Sequence, residues 1–139
     1  PTIGEELTKP TRIYLPAIKE LLRNYRQDIH GMVHITGGAF TKLRELMPNR
    51  DVDIKTSRSH TLKPQEIFRY AYQLGTPSEK MYSRFNCGVG YVIVADSRRA
   101  DEVLKAIKQY YPADVIGDAV PGNGRVHIES QFSQKSVVF

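Results

Sequence analysis

Gly31-Met32-Val33-His34-Ile35-Thr36-Gly37-Gly38-Ala39-Phe40 is the stretch on which the fold reading turns. Residues 31–35 make an apolar run of strand length. Phe40, Leu43, Leu46 and Met47 then recur at helical spacing and predict a helix over 40–47. Gly37 and Gly38 occupy the joint. A strand that ends in Thr-Gly-Gly and opens a helix leaves several backbone N–H groups unpaired. The helix dipole adds partial positive charge at the same place, and the combination suits a phosphate or another anion. A tight turn asks for the same two glycines, so the joint alone leaves both readings open.

A second glycine cluster, Asn86-Cys87-Gly88-Val89-Gly90, runs into Tyr91-Val92-Ile93-Val94-Ala95. The continuous apolar, β-branched run predicts a strand over 88–95 buried on both faces. Glycines at the head of a strand mark the close approach of another backbone or of a ligand. Their alternation would place Gly88 and Gly90 on one face. Packing beneath a helix and clearance for a ligand are both compatible with that pattern.

Working outward, Pro16 fits a first helical turn, and Ile18, Leu21, Leu22 and Tyr25 extend a helix over 14–26. Val52 to Thr56 reads as a short strand and residues 57–63 as a polar loop. Pro64 opens a helix whose inner side is Ile67, Phe68, Ala71, Tyr72 and Leu74, with Gly75 just past its end. Residues 76–80 read as a Pro-Ser turn. Ser97 reads as the N-cap of a helix reaching about 111, with Ala100, Val103, Leu104, Ile107 and Tyr111 as its stripe. Two strands, 113–120 and 125–129, flank the hairpin signal Pro121-Gly122-Asn123-Gly124. Residues 1–13 read as a lead-in linker, and 130–139 as a tail or short docking segment. The order predicts an α/β (α+β) single domain over 1–139: a mixed β-sheet covered by helices in three layers, with a C-terminal antiparallel hairpin.

With 139 residues, 40% of them hydrophobic, the chain is long enough for one domain with its own core. It has no apolar run of membrane-spanning length and no secretory signal pattern. The single cysteine, Cys87, leaves no pair for an internal disulfide and no cysteine cluster for zinc. A cytoplasmic location is the expectation, with no membrane partner. The net charge of +5 suits anionic ligands. The charges are scattered, and no RNP motif, zinc finger or aromatic-rich basic stripe accompanies them, so nucleic acid is not the expected partner. The absence of an initiating methionine fits a processed chain or a piece cut from a longer one, and the second is the expectation.

His34-Ile35-Thr36-Gly37-Gly38 and Phe85-Asn86-Cys87-Gly88-Val89-Gly90, in this order, resemble the two motifs of the C-terminal domain of phosphoribosylformylglycinamidine cyclo-ligase, also called aminoimidazole ribonucleotide synthetase. Gly4-Glu5-Glu6-Leu7, Pro10 to Tyr14, the helix with Pro64, Ile67 and Phe68, and Val115-Ile116-Gly117 extend the likeness from about residue 4 to 128. The chain departs from the family pattern at Ala39, where a third glycine is usual, at Cys87, where methionine is, at Lys80, where an acid is, and at Ser83-Arg84. Ala39 is expected to narrow the anion pocket and Lys80 to add positive charge near it. Sister enzymes of the superfamily, selenophosphate synthetase, thiamine-phosphate kinase and a glutamine-dependent amidotransferase, usually begin the strand-end motif with Asp, where this chain has His34.

The resemblance implies a two-domain, ATP-dependent ligase, a homodimer when full length. It closes the imidazole ring of formylglycinamidine ribonucleotide in purine biosynthesis. ATP and magnesium are the implied cofactors, with the metal ligands in an N-terminal domain outside this chain and no metal ligand here. The isolated chain is expected to be inactive. Thr36, Gly37 and Gly38 are the implied phosphate-binding wall. His34 shares a strand face with Thr36 and suits hydrogen bonding to substrate or moving a proton; a structural imidazole bridging strand and loop is the other reading. Asn86 holds its loop or contacts ligand, and Gly88 and Gly90 give clearance. Thr11 and Arg12 face the cleft, where Arg12 pairs with a phosphate or anchors the linker in a salt bridge. Cys87 reads as a packed residue. The alternative from a different class is a stand-alone nucleotide- or anion-binding module.

Overall fold

A capping box starts the first helix of the computed structural model, which describes residues 1–139. The Glu5 N–H donates to the Thr2 hydroxyl at 3.2 Å, and the Thr2 N–H donates to the Glu5 carboxylate at 2.7 Å. That helix, α1 (Ile3–Leu7), buries nothing, so part of the expected linker is helical yet exposed. Helix α2 (Leu15–Asn24) has Pro16 in its first turn, as expected, and buries Ala17 and Leu21. Strand β1 (Ile29–His34) follows. The next helix is a 3-10 helix, Ala39–Leu46, in which the Thr41 N–H donates to Gly38 and the Met47 N–H to Arg44, each three residues back. Strand β2 (Val52–Thr56) lies where it was expected.

Helix α3 (Glu66–Gln73) ends in a Schellman arrangement, with the Gly75 N–H donating to Tyr72 and the Thr76 N–H to Ala71. Helix α4 (Ser78–Arg84) replaces the expected Pro-Ser turn. Its seven residues are too few for a sustained stripe, but Met81, Tyr82 and Phe85 have helical spacing, and Met81 and Tyr82 are fully buried. Strand β3 is shorter than expected, Tyr91–Ala95, because a turn at Cys87–Gly88 and irregular backbone at Val89–Gly90 precede it, and only Val92 of the strand is buried. The N-cap after it is Asp96, which accepts the Arg98 N–H at 2.9 Å; a 3-10 turn precedes α5 (Ala100–Lys108). Three strands finish the chain: β4 (Gly117–Pro121), β5 (Val126–Glu129) and β6 (Ser136–Val138).

The strands form an antiparallel β1–β3 ribbon and a four-stranded mixed sheet in the order β4-β2-β5-β6. The expected β4–β5 hairpin is absent. Instead β2 lies between those two strands, antiparallel to β4 and parallel to β5. The Pro121–Gly124 turn carries the chain around the end of β2. There the Gly122 and Gly124 N–H groups donate to Asp51 and Val52. The Asp53 carboxylate also accepts the Asn123 and Arg125 N–H groups at 2.9 Å each. The antiparallel pair at the C-terminus is β5–β6, so the presumed tail is an edge strand with Val137 in the core.

Helices α2 and α5 cover one face of the ribbon through Leu21, Val103 and Ala106 against Ile29, Ile93 and Ala95. The larger core joins Val33 and Val92 to Ile54, Val126, Ile128 and Val137, together with Phe40 and Leu43 of the 3-10 helix and Met47 just past its end. Burying one such aliphatic side chain contributes about 2 kcal/mol.

Two polar groups make this core sensitive to acid. His60 is 8% exposed. Burial, reinforced by Lys63 and opposed by Asp114, lowers its pKa below 6.5. Backbone N–H groups of Arg125 and Asn123, then His127, hold Asp53 at about 2. The unfolded chain therefore binds more protons than the folded one in both ranges. Stability is expected to be intact above pH 6.5, to decline below it as His60 must charge, and to fall again between 3.8 and about 2 as Asp53 protonates. Thermal midpoints measured from pH 8 to 3 check this; a flat profile down to pH 5 would remove His60 from the account.

Candidate anion-binding site

The β1–β3 ladder ends with His34 opposite Tyr91, and the Ile35 N–H donates to the Gly90 carbonyl at 3.0 Å. That register sets the Thr36–Gly38 loop beside the Asn86–Gly90 turn. Two motifs separated by about fifty residues in sequence thus share one end of the ribbon.

In the first loop the Thr36 N–H donates to His34 at 3.1 Å and the Ala39 N–H to Thr36 at 2.8 Å. The N–H groups of Gly37 and Gly38 make no hydrogen bond within the chain. Thr36, Gly37 and Gly38 are all exposed. Lys42 completes the charge: its ammonium donates to the Thr36 hydroxyl at 3.0 Å and to the His34 carbonyl at 3.3 Å. Its stem runs alongside Gly38, 3.4 Å from where a Cβ there would lie. Two free amides, a hydroxyl and an ammonium on one exposed loop can hold an oxyanion through charge-assisted hydrogen bonds.

The glycines differ in what the surrounding structure requires of them. Gly88 has φ +93°, and a Cβ there would lie 2.4 Å from the Lys63 carbonyl oxygen. A Cβ on Gly90 would lie 2.0 Å from the Tyr14 hydroxyl. The clearance at both positions is filled by protein. At Gly37 a Cβ would meet nothing within 4 Å, and φ is outside the left-handed region. Packing within the chain gives no reason for glycine at that position, whereas close approach of a ligand does.

His34 sits in an aromatic cluster, its ring centroid 5.6 Å from that of Tyr14 and 5.8 Å from that of Tyr91. Its imidazole makes no hydrogen bond, so it does not bridge strand to loop through one. Tyr14 is the hub, also lying 5.1 Å from Tyr91 and 5.2 Å from Tyr111. Burial raises the Tyr14 pKa and keeps the phenol protonated. Arg12 lies over the Tyr111 ring at 6.0 Å and forms no ion pair. Thr11 is exposed and makes no side-chain hydrogen bond. The Asn86 carboxamide accepts the Gly88 N–H at 3.1 Å, which holds its own turn.

A cleft of about 760 Å³ opens beside this end, with Arg12, Tyr14, Gly88, Gly90 and Tyr91 on its wall; Thr36, Gly37 and Gly38 are not part of that lining. The Ala39 methyl is fully buried in the core, so it does not narrow the anion pocket; its φ of +47° is the conformation that favours glycine. The Cys87 thiol, pushed up to about 12 by burial, stays protonated and packed. Sequence reasoning missed Lys42 and Tyr14. A lysine four residues past a Gly-Gly joint is a local signal for the first. Nothing local marks Tyr14, whose partners come from three other segments.

No three His, Cys, Asp or Glu side chains converge as a metal site, and no helix is long and apolar enough to cross a membrane. Residues 1–129 match the family model described as AIR synthase related protein, C-terminal domain. Phosphoribosylformylglycinamidine cyclo-ligase of Methanobrevibacter smithii is 40% identical over 116 residues, 84% of this chain and 33% of that protein. The enzyme of the same name from Methanocaldococcus jannaschii is 37% identical over 86% of this chain and 33% of its own length. The chain thus spans about a third of these curated relatives. Among solved structures, the hydrogenase maturation protein HypE aligns with TM-score 0.66 at 16% identity over 88% of this chain and 40% of that one. A HypE–HypF complex aligns with TM-score 0.69 at 20% identity, over 98% and 46%. These two likenesses concern the fold alone.

Proposed function

The chain belongs to the AIR synthase related protein family, as its C-terminal domain, and from that premise we propose that it forms one wall of the active-site cleft of an ATP-dependent phosphoribosylformylglycinamidine cyclo-ligase. The observation that supports this most is the open loop at Gly37, where two unpaired amides, the Thr36 hydroxyl and the Lys42 ammonium meet without a steric reason for glycine. In this reading the loop binds the phosphate of formylglycinamidine ribonucleotide, or a phosphate of ATP. Lys42 supplies the counter-charge, and Arg12 approaches from the lead-in segment.

ATP would supply phosphoryl activation of the formyl oxygen, releasing ADP; an amidine nitrogen then attacks that carbon, the formyl oxygen departs as phosphate, and the nitrogen's proton is lost as the imidazole ring closes. His34, which packs against Tyr14 and Tyr91, contacts substrate in this reading. Magnesium is assigned to ligands in the remaining two thirds of the enzyme, together with most of the ATP site and the homodimer interface. The test compares the full-length protein with the 139-residue chain, each given formylglycinamidine ribonucleotide, ATP and magnesium. Product is expected from the first alone. No turnover by the full-length protein would overturn the proposed reaction; turnover by the short chain would overturn its role as one wall.

A further inference from the structure

Three of the chain's 20 basic residues gather at one concavity. Arg44, Arg50 and Arg125 come from three segments, the last turn of the 3-10 helix, the turn after it, and the turn before β5. All three line one concavity of about 380 Å³ with Met47, Asn123 and Phe139. Their guanidinium groups are exposed, and none has a carboxylate within 4 Å or any hydrogen-bond partner in the chain. Glu45 and Asp51 adjoin two of these arginines in sequence without pairing to them. Asp53, the buried acid beneath the turn, is committed to the Asn123 and Arg125 N–H groups and to His127.

The turns that carry Arg50 and Arg125 are tied to their surroundings. Arg50 has φ +51°, a conformation L-residues rarely adopt. A Cβ on Gly124 would lie 2.8 Å from that of Arg50, so the two turns are in close contact. The Asp53 carboxylate holds the backbone N–H of Arg125 at 2.9 Å. Three unneutralised guanidinium forks around one concavity repel one another and present bidentate donors to phosphoryl oxygens. Strain at a non-glycine residue beside such a cluster is the kind of outlier that accompanies a functional site.

We infer that Arg44, Arg50 and Arg125 form a second anion site, for a small diffusible polyphosphate, separate from the Gly37–Gly38 loop. The two sites lie at opposite ends of the eight-residue 3-10 helix, which at about 2.0 Å per residue sets them roughly 16 Å apart. The pocket is at the small end of the range for small-molecule sites and is walled by Met47 and Phe139, which favours a pyrophosphate-sized group over an extended polymer. This inference goes beyond the proposed function and does not depend on it.

The test is calorimetric titration of the full-length protein with inorganic pyrophosphate at low salt. Arg44→Ser combined with Arg125→Ser is expected to remove one pyrophosphate per chain, or to weaken that site at least tenfold, while Gly37→Asp leaves it in place. Arg125→Lys, which keeps the charge and loses the fork, is expected to weaken the site without abolishing it. Unchanged stoichiometry and affinity in the double variant would overturn the inference. So would binding of a short oligodeoxynucleotide at these arginines with no binding of pyrophosphate.

Discussion

Gly37→Asp in the full-length protein is expected to lower kcat/KM at least a hundredfold while the thermal midpoint stays within about 2 °C of the parent. The substitution adds a side chain where a Cβ meets nothing within 4 Å and where the backbone is not left-handed, so the fold has little to lose; surface changes of this kind are usually within about 0.5 kcal/mol. Its carboxylate would stand on the loop that carries the free Gly37 and Gly38 amides and whose Thr36 hydroxyl accepts from the Lys42 ammonium. It would occupy the donors itself and repel an incoming phosphate. A hundredfold loss corresponds to about 2.7 kcal/mol of transition-state stabilisation, in the range for charge-assisted hydrogen bonds. Gly37→Asn, neutral and of nearly equal size, separates charge from bulk and is expected to lose much less. Parental kinetics in Gly37→Asp would remove this loop from the site. A large fall in its thermal midpoint would mean that the glycine serves the fold after all.

Gly88→Ala should do the reverse and act first on stability. The residue has φ +93°, which an alanine adopts only under strain, and its new Cβ would lie 2.4 Å from the Lys63 carbonyl oxygen and 2.8 Å from the carbonyl carbon. Both neighbours are backbone, so no side chain can swing aside. The strain and the displaced segment together are expected to cost about 3 kcal/mol, or roughly 10 °C in thermal midpoint for a domain of this size. Differential scanning calorimetry of the 139-residue chain would measure it. A shift under 2 °C would show that the 62–64 segment yields easily, and that the close approach is not what requires glycine.

These two glycines also mark where sequence reasoning ran out. Both stood in motifs read as ligand-facing, and spacing alone left a tight turn as the alternative for Gly37 and packing as the alternative for Gly88. Only the contacts separate them, because what lies opposite a missing side chain is set by residues far away in sequence. Gly88 faces residue 63, and Gly90 faces Tyr14. The same limit applies to Asn86, whose carboxamide turns back on Gly88. It applies equally to Tyr14, read as the start of a helix and found at the centre of an aromatic cluster.

Local signals carried the helices well. Pro16 in a first turn and Gly75 past the end of α3 act through bonds and contacts within a few residues, and both are as expected; the stripe of α5 is met in part, since the helix ends at Lys108, short of Tyr111, and its buried residues are Val103 and Ala106. Helix α4 was missed because seven residues offer too little periodicity to outweigh a Pro-Ser start. Pro121-Gly122-Asn123-Gly124 signalled a reversal, and the chain does reverse there. That β2 lies inside the reversal depends on strand pairing across some seventy residues, stabilised by Asp53 reaching the turn.

By itself, the sequence determined the family, the α/β class, the positions of most helices and the two motif loops, because each of these is written in short-range order. The tertiary structure alone decided that the two loops share one end of a ribbon, that Gly37 faces open space while Gly88 faces backbone, and that three distant arginines converge. Those outcomes depend on contacts between segments far apart in the chain, and pairings of that kind leave no periodic trace in any one of them.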